Sequence, residues 1–165
     1  MLQSPDSTPV TQALDALGVP YRFFRHPGMV HSLEQAAMER AQRPEQIIRS
    51  ILFRLGADEY IMVLVAGSRQ VDWPTIRRFL GVSRMSMATE AEVIEVTGYP
   101  LGAVSPFGLP QPLKILADSS IFAEEEVSIG SGIRYSTVFL RQEDLRRALG
   151  VIEEVDFSYL KEIGE

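Results

Sequence analysis

Two apolar runs rich in β-branched residues, 47–55 and 60–66, lie only four residues apart, with Gly56-Ala57-Asp58-Glu59 between them. So short a connection brings the runs together as an antiparallel hairpin with a four-residue loop, and their apolar character makes them central strands of a sheet. Helix signals surround the pair. Thr8-Pro9 reads as N-cap and first helical residue, Val10, Ala13, Leu14 and Leu17 follow at i, i+3, i+4 and i+7, and Gly18 stands where the helix stops. Ser32 with Gln35 and Thr89 with Glu92 are capping-box pairs opening two more helices, the second ending near Gly98. Asp72 heads a helix through Leu80 with Gly81 behind it, and 142–149 reads as a last core helix. Short strands are predicted at 21–24, 83–87 and 113–117, while 127–129 and 133–140 flank Gly130-Ser131-Gly132 as a second hairpin. The tail from Val151 predicts one or two further helical turns. Strands alternating with helices specify an α/β fold class.

At 165 residues and 45% hydrophobic, the chain can bury one sizeable core without staples, and no linker or repeat divides it, so a single domain over 1–165 is expected. The absence of cysteine removes thiolate nucleophiles, Cys-based zinc sites and redox pairs. The formal charge is −6, with Lys114 and Lys161 the only lysines. That balance argues against global steering to nucleic acid, where phosphate neutralisation dominates affinity, but leaves room for a grip on the tip of an RNA by a few arginines. Residues 1–9 show no basic segment leading into an apolar one, and no later run approaches the roughly 20 apolar residues of a membrane span. A cytoplasmic protein without membrane contact is expected.

Residues 99–112 hold four prolines and two glycines. Such a stretch forms neither a regular helix nor a central strand, and a long ordered loop in a compact domain is a natural place for a site. Within it, Gly102 to Gly108 offers backbone N–H groups that can converge on an oxyanion, with Ser105 as a side-chain donor. Read as a bare string, the same segment is a plain proline-rich turn. Ser105 as a nucleophile has no Gly-x-Ser-x-Gly elbow, and His26 and His31 are the only imidazoles, without patterned acidic partners; no metal site is expected. In 47–55, alternation puts Ile47, Arg49, Ile51, Phe53 and Leu55 on one face and Ile48, Ser50, Leu52 and Arg54 on the other. Arg49 thus points with an apolar set, so an anionic or strongly polar group should lie beside it; a structural ion pair is the other reading. Asp118, after a strand, fits a site residue or a helix cap equally well. Glu124 to Glu126 reads as a solvated acidic edge and Trp73 as core.

From about Thr8 to Gly150 the chain resembles the YbaK/ProX family of trans-editing deacylases, which also occur as the editing insertion of bacterial prolyl-tRNA synthetases. The likeness rests on His26-Pro27 followed by Ser32-Leu33-Glu34-Gln35-Ala36-Ala37, on Gln46 through Phe53, on Val63 through Gly67 followed by Val71-Asp72, on Gly98 through Gly108, and on Asp118 with Gly130-Ser131-Gly132. It implies a mixed, strongly curved, barrel-like sheet ringed by helices, with 151–165 as a tail. It further implies a site for the aminoacylated 3′-terminal adenosine, with Arg49, Gly102, Ser105 and Pro106 at the chemistry. His26, Ile47, Gly67, Gly98, Phe107, Gly108, Asp118, Gly130, Ser131 and Gly132 would bind substrate. Hydrolysis would need no cofactor and no metal; the partners implied are the 3′ end of aminoacyl-tRNA and an aminoacyl-tRNA synthetase, with the protein a monomer or weak homodimer. The expected substrate is a mischarged tRNA carrying a small amino acid of the Ala, Cys or Ser class, including one on the proline tRNA.

Arg49 stands where the family carries a lysine. If that lysine transferred a proton, arginine could not replace it; if it supplies positive charge, arginine can. The alternative reading is a non-catalytic RNA- or nucleotide-binding module, or a translation regulator, that lost hydrolysis with the lysine.

Overall fold

The computed structural model describes residues 6–161; residues 1–5 and 162–165 of the expected domain lie outside them. The hairpin is central, as its composition requires. β2 (Ile48–Gly56) and β3 (Glu59–Ala66) pair antiparallel inside a five-stranded mixed sheet. Its order is β5-β2-β3-β6-β9, with β5 (Ser86–Met87), β6 (Lys114–Asp118) and β9 (Glu153–Val155). β6 runs parallel to β3, and β9 parallel to β6. The hairpin loop is tighter than four residues: Gly56 pairs with Glu59, and Asp58 takes the left-handed conformation at φ 57°, which aspartate tolerates better than most residues.

A second, antiparallel sheet has the order β1-β8-β7, from β1 (Arg22–Arg25), β8 (Ser136–Arg141) and β7 (Glu126–Gly130). An isolated parallel bridge between Ile47 and Ser128 links it to the first sheet. β4 (Gln70–Val71) and β10 (Ser158–Tyr159) form a small third pair. The arrangement is the expected mixed α/β fold, but the sheets do not close into a barrel.

Among the described residues five α-helices accompany the sheets: α1 (Pro9–Ala16), α2 (Leu33–Glu39), α3 (Trp73–Leu80), α4 (Glu90–Thr97) and α5 (Gln142–Leu149). Their ends follow the local chemistry of the chain. Thr8 and Thr11 cap each other at α1, Thr89 and Glu92 do so at α4, and Gly81 and Gly98 terminate α3 and α4 in the left-handed region. Ser32 caps α2 through the Gln35 N–H, whereas the Gln35 side chain reaches the His31 N–H, so only half of that box forms. Asp72 precedes α3, but its carboxylate accepts from the Thr75 hydroxyl instead of a backbone N–H.

Alternation along β2 and β3 divides the interior in two. Ile48, Met62, Leu64 and Ala66 pack in one cluster with α1 and the β7–β8 sheet, and Phe53, Ile61, Val63 and Val65 pack in another with Ile76 of α3. β3 is therefore buried on both faces, and each of its central side chains contributes on the order of 2 kcal/mol by leaving water.

The tail corrects the sequence reading: from Val151 it forms strands β9 and β10, not helical turns. The reason is tertiary. Asp118, at the end of β6, accepts from the Phe157 N–H at 2.9 Å and the Ser158 hydroxyl at 2.7 Å, while Phe157 fills the second core. These contacts hold the tail extended along the sheet edge.

The proline-rich loop is pinned by Tyr99, whose buried hydroxyl donates to the Phe107 carbonyl at 2.6 Å. Burial pushes the Tyr99 pKa from 10.0 to about 12. Below pH 10 the phenol is neutral in both folded and unfolded chains. Above that the unfolded chain releases the proton first, so stability contributed by Tyr99 is lost as pH rises through about 12, a loss on the order of 2–3 kcal/mol. Tyr99→Phe should lower stability at neutral pH by about 1 kcal/mol and make the alkaline decline shallower; urea titrations from pH 8 to 12 measure both. An unchanged alkaline slope would rule out Tyr99 as its source.

Candidate active site

A cavity of about 500 Å³ opens where β2 lacks a neighbour. β5 pairs with Phe53 and Arg54, and the Ala88 N–H just beyond it donates to the Leu52 carbonyl at 3.1 Å, which leaves the outer edge of β2 over 48–51 without a strand partner among the described residues along the cavity. α2 supplies Leu33 and Ala36 and, at its C-cap, Arg40; Leu101, Gly102 and Val104 of the loop form another wall. Ile129 and Gly130 close it from β7, and Ser136 and Thr137 from β8. The walls are mostly apolar with a few polar groups, the usual composition of a small-molecule site.

Arg49 lies in this lining and faces the same side of the sheet as Val65, as alternation requires. Its Nε donates to the Gly67 carbonyl at 2.7 Å and its Nη2 to the Arg69 carbonyl. No carboxylate pairs with it among the described residues, so the structural ion pair does not form and its polar neighbours are two neutral carbonyls. Burial lowers its pKa, yet a guanidinium stays protonated at any accessible pH. The result is a fixed positive charge without a counter-ion among the described residues.

The expected site residues separate into those that meet the cavity and those that brace it. Ile47, Arg49, Gly102 and Gly130 line it. Gly102, at φ 87°, has nothing within 4 Å of a hypothetical Cβ, so its backbone lies open to a ligand. Ser105 lies outside the lining: it is fully buried, and its Oγ accepts from the Phe107 N–H in a local turn. Pro106 and Phe107 are buried behind the loop, and Gly108 packs on the Pro9 carbonyl, leaving a Cβ only 2.5 Å of room. Gly98 ends α4, Gly67 holds Arg49, and Asp118 caps the following 3-10 turn and anchors the tail. Gly130 approaches the Ala103–Val104 backbone, the Gly132 N–H donates to the Ala103 carbonyl at 3.0 Å, and Ser131 bonds Ser136. His26 lies in the wall of an adjoining cavity, between Glu39 and Arg40.

Two polar cavity residues escaped the sequence reading. Ser50 lies between Ile48 and Leu52 on the face of β2 that ends at Arg54, and its Oγ is buried without a hydrogen-bond partner among the described residues. A hydroxyl on an apolar face is the same signal that marked Arg49. Arg40 carried no such signal, because its partners Ser128 and His26 are 88 and 14 residues away. Burial lowers its pKa to about 10, far enough above neutral to leave it charged. Glu39 is held below the usual carboxylate range by hydrogen bonds from Gln35 and then His26.

Residues 27–148 match the model of the aminoacyl-tRNA editing domain. The chain belongs to the aminoacyl-tRNA editing domain family. Among its curated relatives is the multifunctional Ser/Thr-tRNA deacylase ProXp-y of Escherichia coli (strain K12), 31% identical over 93 residues that make up 56% of each chain. The proline–tRNA ligase of Aquifex aeolicus is 28% identical over 104 residues, 63% of this chain but 18% of the ligase. The matched stretch thus spans little more than half of the deacylase and about a fifth of the ligase. A solved structure provisionally described as a trans-editing enzyme for prolyl tRNA synthetase superposes with a TM-score of 0.82 at 25% identity, covering 96% of this chain and 99% of its own. These likenesses bear out the resemblance to YbaK/ProX proteins. In this editing domain no helix of the described residues is long and apolar enough to cross a membrane.

Proposed function

We propose that this editing domain, one unit over 1–165, is a cytoplasmic trans-acting deacylase for mischarged tRNA bearing a small amino acid of the Ala, Cys or Ser class. The observation that carries the reading is the Arg49 guanidinium, fixed by two backbone carbonyls at the cavity and uncompensated by any acid among the described residues. Such a charge favours an anionic guest and the oxyanion that develops when an ester is attacked. Terminal adenosine enters between the open edge of β2 and Gly102. Water, oriented by a ribose hydroxyl, attacks the ester carbonyl carbon. The bond from that carbon to the ribose oxygen then breaks, and the ribose oxygen takes the proton. The buried Ser50 hydroxyl is better placed than Ser105 to donate to the carbonyl, since Ser50 lines the cavity and Ser105 does not. Apolar walls discriminate one methylene by about 1–3 kcal/mol, enough to favour small side chains without excluding near neighbours. An aminoacyl-tRNA synthetase is the protein partner that fits such a role, with the domain itself a monomer or weak homodimer.

The test is release of labelled amino acid from Ala-, Ser- and Cys-tRNAs, on the proline and other acceptors, by the full chain. Selective hydrolysis supports the deacylase. Tight binding of the aminoacylated 3′ end with no turnover would replace it with the non-catalytic binding module.

A further inference from the structure

A second cavity of about 340 Å³ adjoins the first, and Val30, Arg40, Leu101, Gly102 and Ser136 border both. Arg40 therefore stands at the junction of a two-lobed cleft. Its Nε donates to His26 Nε2 at 3.0 Å and its Nη1 to the Ser128 hydroxyl at 3.1 Å. Arginine only donates, so His26 Nε2 must accept, and the imidazole proton sits on Nδ1, directed at Glu39 Oε1 2.7 Å away. Glu39 is itself held by Gln35 at 2.8 Å. This chain fixes the guanidinium plane while spending only one Nε and one Nη1 donor on it. No carboxylate hydrogen-bonds Arg40 among the described residues, and its Nη2 group has no hydrogen-bond acceptor there. The outer lobe is bordered by Arg134, tied to the Leu101 carbonyl at 3.2 Å, and by Tyr135, a residue 38% exposed.

We infer that the cleft holds two nucleotides of the RNA 3′ end, and that Arg40 grips the phosphodiester joining them. This rests on the proposed deacylase reading and extends it to a subsite. The terminal adenosine occupies the inner lobe, and the preceding base lies in the outer lobe against Tyr135, where an aromatic face accepts any base by stacking. A planar guanidinium with free paired donors matches a phosphate in a bidentate manner, and a preset plane reduces the ordering needed on binding. The charge balance of the chain agrees. A protein of net charge −6 gains little from long-range attraction to RNA, so its affinity must come from cations placed at the cleft. Arg40 acts on the chemistry only through placement of the nucleotide and is a positioning residue.

The experiment compares binding of three probes to the full chain by calorimetry: a non-hydrolysable 3′-alanylamido-adenosine, the same nucleoside extended by a 5′-linked cytidine phosphodiester, and that dinucleotide with an uncharged methylphosphonate linkage. Wild type should bind the phosphodiester about tenfold or more tightly than the nucleoside, and the methylphosphonate about as weakly as the nucleoside. Arg40→Gln should lose the phosphodiester's advantage, and raising salt, which weakens wild-type binding of the phosphodiester by screening, should weaken the variant's binding less. Arg40→Lys, which keeps the charge without the fork, should retain part of the gain. If the methylphosphonate binds wild type as tightly as the phosphodiester, or if Arg40→Gln keeps the full advantage, the inference is overturned while the deacylase reading stands. The methylphosphonate comparison uses wild type alone and decides the matter even if the variants misfold. Failure of the nucleoside itself to bind, with no hydrolysis of any mischarged tRNA, would overturn both.

Discussion

Arg49→Ala is expected to lower kcat/KM for mischarged tRNA about 100-fold or more, the range found when one preorganised oxyanion donor is removed. The side chain is held at the cavity by the Gly67 and Arg69 carbonyls, and its charge is unopposed among the described residues. The loss should therefore track charge, not bulk. Arg49→Met, close in volume and uncharged, should fall as far as alanine, whereas Arg49→Lys should retain much of the rate because an ammonium supplies charge at a similar reach. Single-turnover hydrolysis under saturating enzyme separates the chemical step from binding. Full activity in the methionine variant would remove the charge from the mechanism. Either neutral variant also leaves two inward carbonyls without their donor, at a cost of about 1–3 kcal/mol, so urea unfolding must accompany the kinetics.

The second large effect is expected at Gly130. A Cβ there would lie 2.7 Å from the Val104 carbonyl carbon, 2.9 Å from that of Ala103, and closer still to the Val104 oxygen. These are backbone atoms and cannot rotate away, so Gly130→Ala must push the loop carrying Gly102 off the end of β7. Overpacking of this kind costs about 3 kcal/mol or more, and the displacement also opens the cavity wall. The variant should melt well below wild type and, at temperatures where it remains folded, hydrolyse substrate at a small fraction of the normal rate. Wild-type turnover in a folded Gly130→Ala protein would show that the loop's seat on β7 does not set the site.

These two residues mark where local pattern was informative and where it was not. Arg49 was legible because a charge on an apolar strand face contradicts period-2 patterning, and Ser50 broke the same rule on the opposite face. Gly130 was visible as part of a Gly-Ser-Gly turn, but its role is a close approach to residues 103 and 104, and sequence spacing contains no distance of that kind. The same holds for the loop itself. Its four prolines announced an irregular segment, yet among Ser105, Pro106, Phe107 and Gly108 the structure assigns bracing against Tyr99, α1 and the core, and it is Leu101, Gly102 and Val104 that meet the cavity.

What the chain determined alone was the set of elements whose physics is local. Alternation and the short loop made β2 and β3 a hairpin, the capping residues Thr8, Ser32 and Thr89 began α1, α2 and α4, and Gly81 and Gly98 ended α3 and α4, since each depends on atoms within a few residues. Tertiary structure alone decided the rest. The tail became strand because Asp118 and the second core hold Phe157 and Ser158 there, the two sheets met at Ile47 and Ser128, and Arg40 acquired His26 and Ser128 from distant elements. Hydrogen bonds and burial between residues far apart in sequence exist only once the sheets and helices have packed, and they place the site's second cation.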